Sequence, residues 1–113
     1  MDAVRGLYEL VGEDRELFDE LVTEFREQGP QRITELGRAI ATGDSALASR
    51  AAHTLKTNSA TFGATELASL SRRLEEAARK DELAGAAGLL DDVERCWTLV
   101  SRDLEALGQG ALG

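Results

Sequence analysis

The chain has 113 residues, of which 42% are hydrophobic, and its formal net charge is −8. This size suits one domain with its own core, and the negative charge argues against nucleic acid binding, which needs a basic surface. Cys96 and His53 are the only residues of their types, too few for an internal disulfide or a zinc site. No apolar run reaches the ~18 residues of a membrane span, and no signal pattern opens the chain. We therefore expect a cytoplasmic protein that binds neither membrane nor nucleic acid.

The apolar spacing predicts helices along the whole chain, and the abundance of Leu, Ala, Glu and Arg favours them. A short helix is predicted over residues 4–11, followed by Asp14 as the N-cap of a helix with an apolar stripe from Leu17 to Phe25. The Gly29-Pro30 pair interrupts this stripe. Either one long helix bends at Pro30 or two helices meet there.

Three further helices are predicted after the Gly43-Asp44 boundary, where the glycine suits a left-handed helix end and the aspartate an N-cap. They run from about residue 45 to 62, from about 65 to 80, and from an Asp81 cap to Gly108. Short loops favour antiparallel neighbours. The predicted fold is an all-α, up-down, antiparallel four-helix bundle with a short extra N-terminal helix. We expect one monomeric domain over residues 1–113, with a core at about 4–107 and a frayed tail at 108–113.

His53 is predicted to point outward from the middle of its helix. At 100° per residue it lies opposite the face that should contact the core. That core face comprises Leu47, Ala48, Ala51, Ala52, Leu55, Asn58, Ser59 and Phe62.

Small residues surround His53 on the outward face, where Glu, Lys or Arg would be usual: Ala46, Ser49, Thr57 and Ala60. Such a face lets another protein approach the imidazole closely. Arg50 and Lys56 flank the histidine one turn away on either side. Neutral imidazole is a nucleophile near neutral pH, and Lys56 can offset the roughly two negative charges of a phosphoryl group placed on it. No Ser, Cys or second His is placed to complete an acid–base unit. On these residues alone, a surface histidine without a function remains an alternative.

Residues 52–64, AHTLKTNSATFGA, resemble the signature of the histidine phosphotransfer (HPt) domain family. The pattern continues through Leu67, Leu70, Leu74, Glu75 and residues 77–79, which resemble the second core helix of that family. The resemblance covers about residues 4–107. It implies the helical bundle fold and a phosphoryl carrier that has no nucleotide site of its own.

The resemblance also implies roles for individual residues. His53 matches the histidine that is phosphorylated on Nε2, and Lys56 matches the lysine that stabilises the phosphoryl group. Glu75 matches an acceptor for the Nδ1–H of the ring, with a solvated helix charge as the alternative. Gly63 matches the glycine that ends the active helix, and Ser59 a small position at the helix interface; both are structural.

Arg72 and Arg79 flank Glu75 and either add positive field or are solvated or paired with nearby acids. The expected docking residues for a partner receiver domain are Ser49, Arg50, Thr57 and Ala60. Thr57 departs from the family pattern, which usually has Gly or another very small residue directly after the lysine. This leaves partner choice and transfer rate open.

The implied function is reversible phosphotransfer within a two-component phosphorelay. His53 accepts the phosphoryl group from the aspartyl phosphate of a receiver domain and passes it on to a second receiver. The expected partners are response-regulator receiver domains, a hybrid histidine kinase, or both. No cofactor is expected on this chain, and Mg²⁺ is expected on the receiver. Two alternatives stay open: the phosphoacceptor domain of a chemotaxis-type histidine kinase, and a helical adaptor that is not phosphorylated.

Overall fold

The computed structural model describes residues 14–106. Within that range the fold comprises four α-helices, α1 (Arg15–Thr42), α2 (Ser45–Thr61), α3 (Thr65–Arg79) and α4 (Ala87–Ala106), and a 3₁₀ turn at Leu83–Gly85. None of the described helices is both long and apolar enough to cross a membrane. The helix predicted over residues 4–11, the predicted end of the last helix at Gly108 and the tail at 108–113 lie outside the described residues.

The first two helices begin at the predicted caps. The Asp14 side chain accepts a hydrogen bond from the Leu17 backbone N–H at 3.0 Å, and Asp44 accepts one from Leu47 at 3.0 Å. Gly43 ends α1 with φ of 71°, in the left-handed region that glycine enters without steric cost. The turn at Gly43-Asp44 is therefore encoded locally.

Helix α1 is continuous through Pro30, which decides between the two interpretations of Gly29-Pro30 in favour of one long helix. Pro30 is exposed, whereas Gly29 is buried. A Cβ atom added to Gly29 would overlap the six-membered ring of Trp97 in α4. Gly29 is thus a point of close contact between α1 and α4, and it does not interrupt the helix.

The prediction that Asp81 caps the last helix is wrong. Helix α4 begins at Ala87, after the 3₁₀ turn, and Asp81 has a positive φ of 56° directly beyond the end of α3. Its carboxylate accepts a hydrogen bond from the Ser45 hydroxyl at the start of α2. Asp81 therefore joins the end of α3 to the start of α2. Its left-handed backbone is typical of the residue that follows a helix end, whereas an N-cap has an extended backbone.

The helices form an antiparallel bundle in which α1 contacts α2 and α4, and α3 contacts α2 and α4. Contacts from Gly29 to Trp97 and from Gly37 to Leu90 run in opposite chain directions, as do those from Ser45 to Asp81 and His53 to Glu75. Phe25 stacks on Phe62 with ring centroids 4.7 Å apart, and Trp97 meets Phe25 edge-on at 5.1 Å. The all-α bundle fold is confirmed.

Candidate functional site

The candidate site lies where α2 and α3 pack together. The predicted core face of α2 is largely correct, since its fully buried members are Ala48, Ala51, Ala52, Leu55, Ser59 and Phe62. Leu47 and Asn58 are half-buried at its edge. His53 lies on the opposite face with 57% of its side chain exposed, as predicted. The ring is therefore open to a partner from outside the bundle.

Glu75 of α3 is buried, with only 2% of its side chain exposed, and it contacts three cationic or polar groups. Its Oε2 lies 2.8 Å from Nδ1 of His53 and accepts a hydrogen bond from Nη2 of Arg79 at 3.0 Å. Its Oε1 accepts a hydrogen bond from Nζ of Lys56 at 2.7 Å. The contact between Glu75 and His53 that the resemblance implies is therefore present. The alternative, that Glu75 is a solvated charge on the helix surface, is wrong because the carboxylate is buried.

The surroundings of Glu75 keep its carboxyl group ionised. Burial alone raises the pKa of Glu75, because it disfavours the charged form. Hydrogen bonds from Lys56 and His53 and the charges of Lys56 and Arg79 outweigh burial, so the pKa of Glu75 lies below its ordinary value. A buried acid with this many partners is a carboxylate at neutral pH.

This carboxylate fixes the tautomer of His53. An ionised Glu75 can only accept a hydrogen bond, so Nδ1 of the neutral ring must be the nitrogen that bears hydrogen. The lone pair then lies on Nε2. No hydrogen bond to Nε2 is formed by residues 14–106, and this nitrogen is available as a nucleophile.

An open concavity of about 390 Å³ lies beside the ring and is lined by Ser49, Arg50, His53, Thr54, Glu75 and Arg79. Two of the predicted docking residues, Ser49 and Arg50, therefore line the same concavity as the imidazole. The other two, Thr57 and Ala60, are exposed on the same outward face of α2. The four predicted docking residues thus lie on the same side of α2 as His53.

The residues predicted to be structural lie at the helix interface and at the helix end. Ser59 is fully buried, and its hydroxyl has no hydrogen-bond partner among the described residues. Gly63 has φ of 67° just after α2, where a left-handed residue lets the chain turn into α3.

Arg72, which was predicted to flank Glu75, is exposed. Within residues 14–106, no group of three or more His, Cys, Asp or Glu residues could hold a metal ion.

The Hpt domain family model matches residues 20–110 of the chain. This chain belongs to the Hpt domain family. The crystal structure of histidine-containing phosphotransfer protein B (HptB) from Pseudomonas aeruginosa PAO1 is similar, with 28% sequence identity and a TM-score of 0.86. The superposition covers 96% of this chain and 91% of the HptB chain. A search of curated protein sequences finds no significant match.

Membership of the Hpt family gives the chain a role in histidine phosphotransfer within a phosphorelay. Hpt domains are phosphoryl carriers, which do not use a nucleotide site of their own, and they interact in general with receiver domains and kinases. In this chain the bundle presents one exposed imidazole, His53, whose Nδ1 contacts the buried Glu75.

Sequence reasoning left open the burial of Glu75 and the pairing of Arg79 with it. The helical period of α3 contained the information needed, because Ser71, Glu75 and Ala78 lie on one face with the buried Leu74. A glutamate in that register must lie at the helix interface. Arg79, one turn further along, is then within reach of the same carboxylate.

Proposed function

We propose that His53 of this Hpt domain accepts a phosphoryl group on Nε2 from the aspartyl phosphate of a receiver domain and passes it to a second receiver. The observation behind this proposal is the contact from Nδ1 of His53 to the ionised Glu75, with most of the imidazole side chain exposed. A hydrogen on Nδ1 that faces this carboxylate supports Nε2 as the nucleophilic nitrogen.

In this proposal the partner docks over Ser49, Arg50, Thr57 and Ala60 and brings its own Mg²⁺. Nε2 attacks phosphorus in line with the departing aspartate oxygen. Lys56 lies one turn from His53, so its ammonium group can move from Glu75 towards the phosphoryl oxygens as their charge arrives. The lysine thereby offsets part of the roughly two negative charges on the new group.

The test is phosphotransfer from a labelled receiver to the wild-type protein and to His53→Gln. We expect the wild-type chain to gain a label that is labile in acid and stable in base, and the variant to gain none. His53 is the only histidine, so no other imidazole can take the label. Circular dichroism of the variant checks that the helices are intact.

Two results would point elsewhere. If no cognate receiver labels the wild-type chain, while the chain still binds its partners, the protein is an unphosphorylated helical adaptor. If only an ATP-loaded kinase domain labels His53, and phosphorylated receivers do not, the chain is the phosphoacceptor domain of a chemotaxis-type kinase. If a phosphorylated receiver labels the wild-type chain but not His53→Gln, the result supports the phosphoryl-carrier function.

A further inference from the structure

The group that faces Nδ1 of His53 controls what happens to the Nδ1 proton during phosphorylation. That group is the buried carboxylate of Glu75, 2.8 Å from the nitrogen. It is held in place from two other directions, by Lys56 at 2.7 Å and by Arg79 at 3.0 Å. In the unphosphorylated protein these three contacts fix the carboxylate against the ring. When Lys56 turns to the phosphoryl oxygens, the burial of Glu75 and its contact with Arg79 still hold the carboxylate there.

The transfer step itself requires no proton to leave the ring. The Nε2 lone pair forms the nitrogen–phosphorus bond, the bond from phosphorus to the donor oxygen breaks, and its electron pair leaves on that oxygen. The product ring has hydrogen on Nδ1 and phosphorus on Nε2, and it bears a formal positive charge. In the return step this ring departs as neutral imidazole. A ring that had lost its proton would have to depart as an imidazolate anion, which is a far poorer leaving group.

We propose that the Glu75 carboxylate retains the proton on Nδ1 after His53 is phosphorylated, so that the phosphohistidine stays in its protonated, transfer-competent form. This inference rests on the proposed function and concerns the same site. Its physical cause is the attraction between a fixed, buried negative charge and the positive ring that it contacts at 2.8 Å.

Among residues 14–106, the other charged groups that contact Glu75 or line the adjoining concavity are cationic: Lys56, Arg79 and Arg50. Their positive charges disfavour a positive charge on the ring, but none of them forms a hydrogen bond with it in this structure. The phosphoryl oxygens add negative charge that attracts these cations. Glu75 alone contacts Nδ1, and an amide in its place could accept the same hydrogen bond without the negative charge. The charge at position 75 is therefore the property to change.

The experiment compares wild-type protein with Glu75→Gln and with Glu76→Gln, which removes the same charge from the adjacent, exposed position. Phosphoramidate, a small molecule that phosphorylates histidine directly, places the group on the single histidine without any partner. The ¹⁵N chemical shift of Nδ1 then reports its proton as pH rises, and the loss of phosphate reports the reactivity of the ring.

We expect wild type and Glu76→Gln to keep the Nδ1 proton to a pH about one unit higher than Glu75→Gln. Between the two midpoints, the phosphohistidine of Glu75→Gln should be longer-lived by up to about tenfold, because one unit of pH changes the protonated fraction by that factor. Equal midpoints in wild type and Glu75→Gln would overturn the proposal.

If Glu75→Gln does not fold, wild type alone decides the question, with the same phosphoprotein in urea as the reference. The folded midpoint should lie above the denatured one, and equal midpoints would again overturn the proposal. Failure of the proposed function has a different result. In that case the phosphoramidate-labelled protein retains its Nδ1 proton, but no receiver removes its phosphoryl group.

Discussion

The α2–α3 interface and the α1–α4 interface are both closely packed, but they use small residues for different purposes. Between α1 and α4, Gly29 leaves room for the Trp97 ring, and the contact is apolar. Between α2 and α3, Glu75 is the one buried charge among the described residues, and both helices also bury small side chains. They are Ala48, Ala52, Ser59, Ser71 and Ala78. The first interface thus stabilises the bundle, whereas the second also holds Glu75 against the ring of His53.

The antiparallel register of α2 and α3 explains why small residues matter beside Glu75. The contacts from His53 to Glu75 and from Ser45 to Asp81 show that the helices run antiparallel, and both helices bury small side chains, among them Ala52, Ser59, Ser71 and Ala78. Small side chains on both sides let the helix backbones approach. The carboxylate can then reach both Nδ1 of the histidine and Nζ of the lysine from the facing helix.

The largest effect is expected when a large residue enters this interface. Ser71 is fully buried one turn before Glu75, and its hydroxyl donates to the Leu67 carbonyl at 2.8 Å. Ser71→Leu adds two heavy atoms and removes this hydrogen bond. We expect a loss of about 1–3 kcal/mol in the free energy of unfolding, together with slower phosphorylation, because α3 must move away from α2.

Urea unfolding measures the stability of this variant, and labelling by phosphorylated receiver measures its activity. Ser69→Leu is the matched control, since Ser69 is exposed on the same helix. Its stability and labelling should stay close to wild type. If Ser71→Leu were labelled at the wild-type rate, the close packing of α2 and α3 would not be needed for the site.

A smaller effect is expected at the α1–α4 interface. Gly29→Ala forces Trp97 to move, and we expect a loss of about 1–2 kcal/mol from overpacking. The same change at Gly37 places the new Cβ 3.7 Å from Leu90, an ordinary contact. Gly37→Ala should therefore stabilise the protein by about 0.5–1 kcal/mol through better helix propensity.

Urea unfolding of the two glycine variants gives the sign of each change directly. Labelling of the folded protein should be unchanged in both, because neither residue lies at the α2–α3 interface. Slower labelling of folded Gly29→Ala would show that the two interfaces are coupled, contrary to the division of roles drawn above.

The sequence predicted most of the α2 side of the site and less of the α3 side. The helical period placed His53 outward, and the caps at Asp14 and Asp44 could be recognised from their side chains. These features depend on local chemistry. Glu75 contacts His53 and Lys56 of α2 and Arg79 in the next turn of α3. The two contacts with α2 depend on how the two helices pack, which the local sequence does not specify.

Two other details of the fold also depended on distant contacts. A glycine followed by a proline is typical of a helix end, yet Gly29 lies inside α1. The reason for a glycine here is the Trp97 ring of α4, which packs directly against it. Asp81 has the residue type of an N-cap, but it hydrogen-bonds to Ser45 of α2. In both cases local propensity was outweighed by packing between helices.

The smallest effect concerns acid stability. The folded-state pKa of Glu75 lies below its ordinary value, so its ion pairs stabilise the protein above the ordinary carboxyl pKa. This contribution is lost as pH falls through the lowered value. We expect thermal unfolding of wild type to show an acid-dependent loss of stability that is smaller in Glu75→Gln. Glu76→Gln should follow wild type, and an identical decline in all three proteins would contradict this contribution.

The most direct test of the account is to identify the phosphorylated atom after transfer from a receiver. Two-dimensional ³¹P–¹⁵N NMR of the labelled protein distinguishes the two ring nitrogens. Because Glu75 occupies Nδ1, phosphorus is predicted on Nε2 of His53, with hydrogen on the other nitrogen. Phosphorus on Nδ1, or on a residue other than His53, would contradict the account.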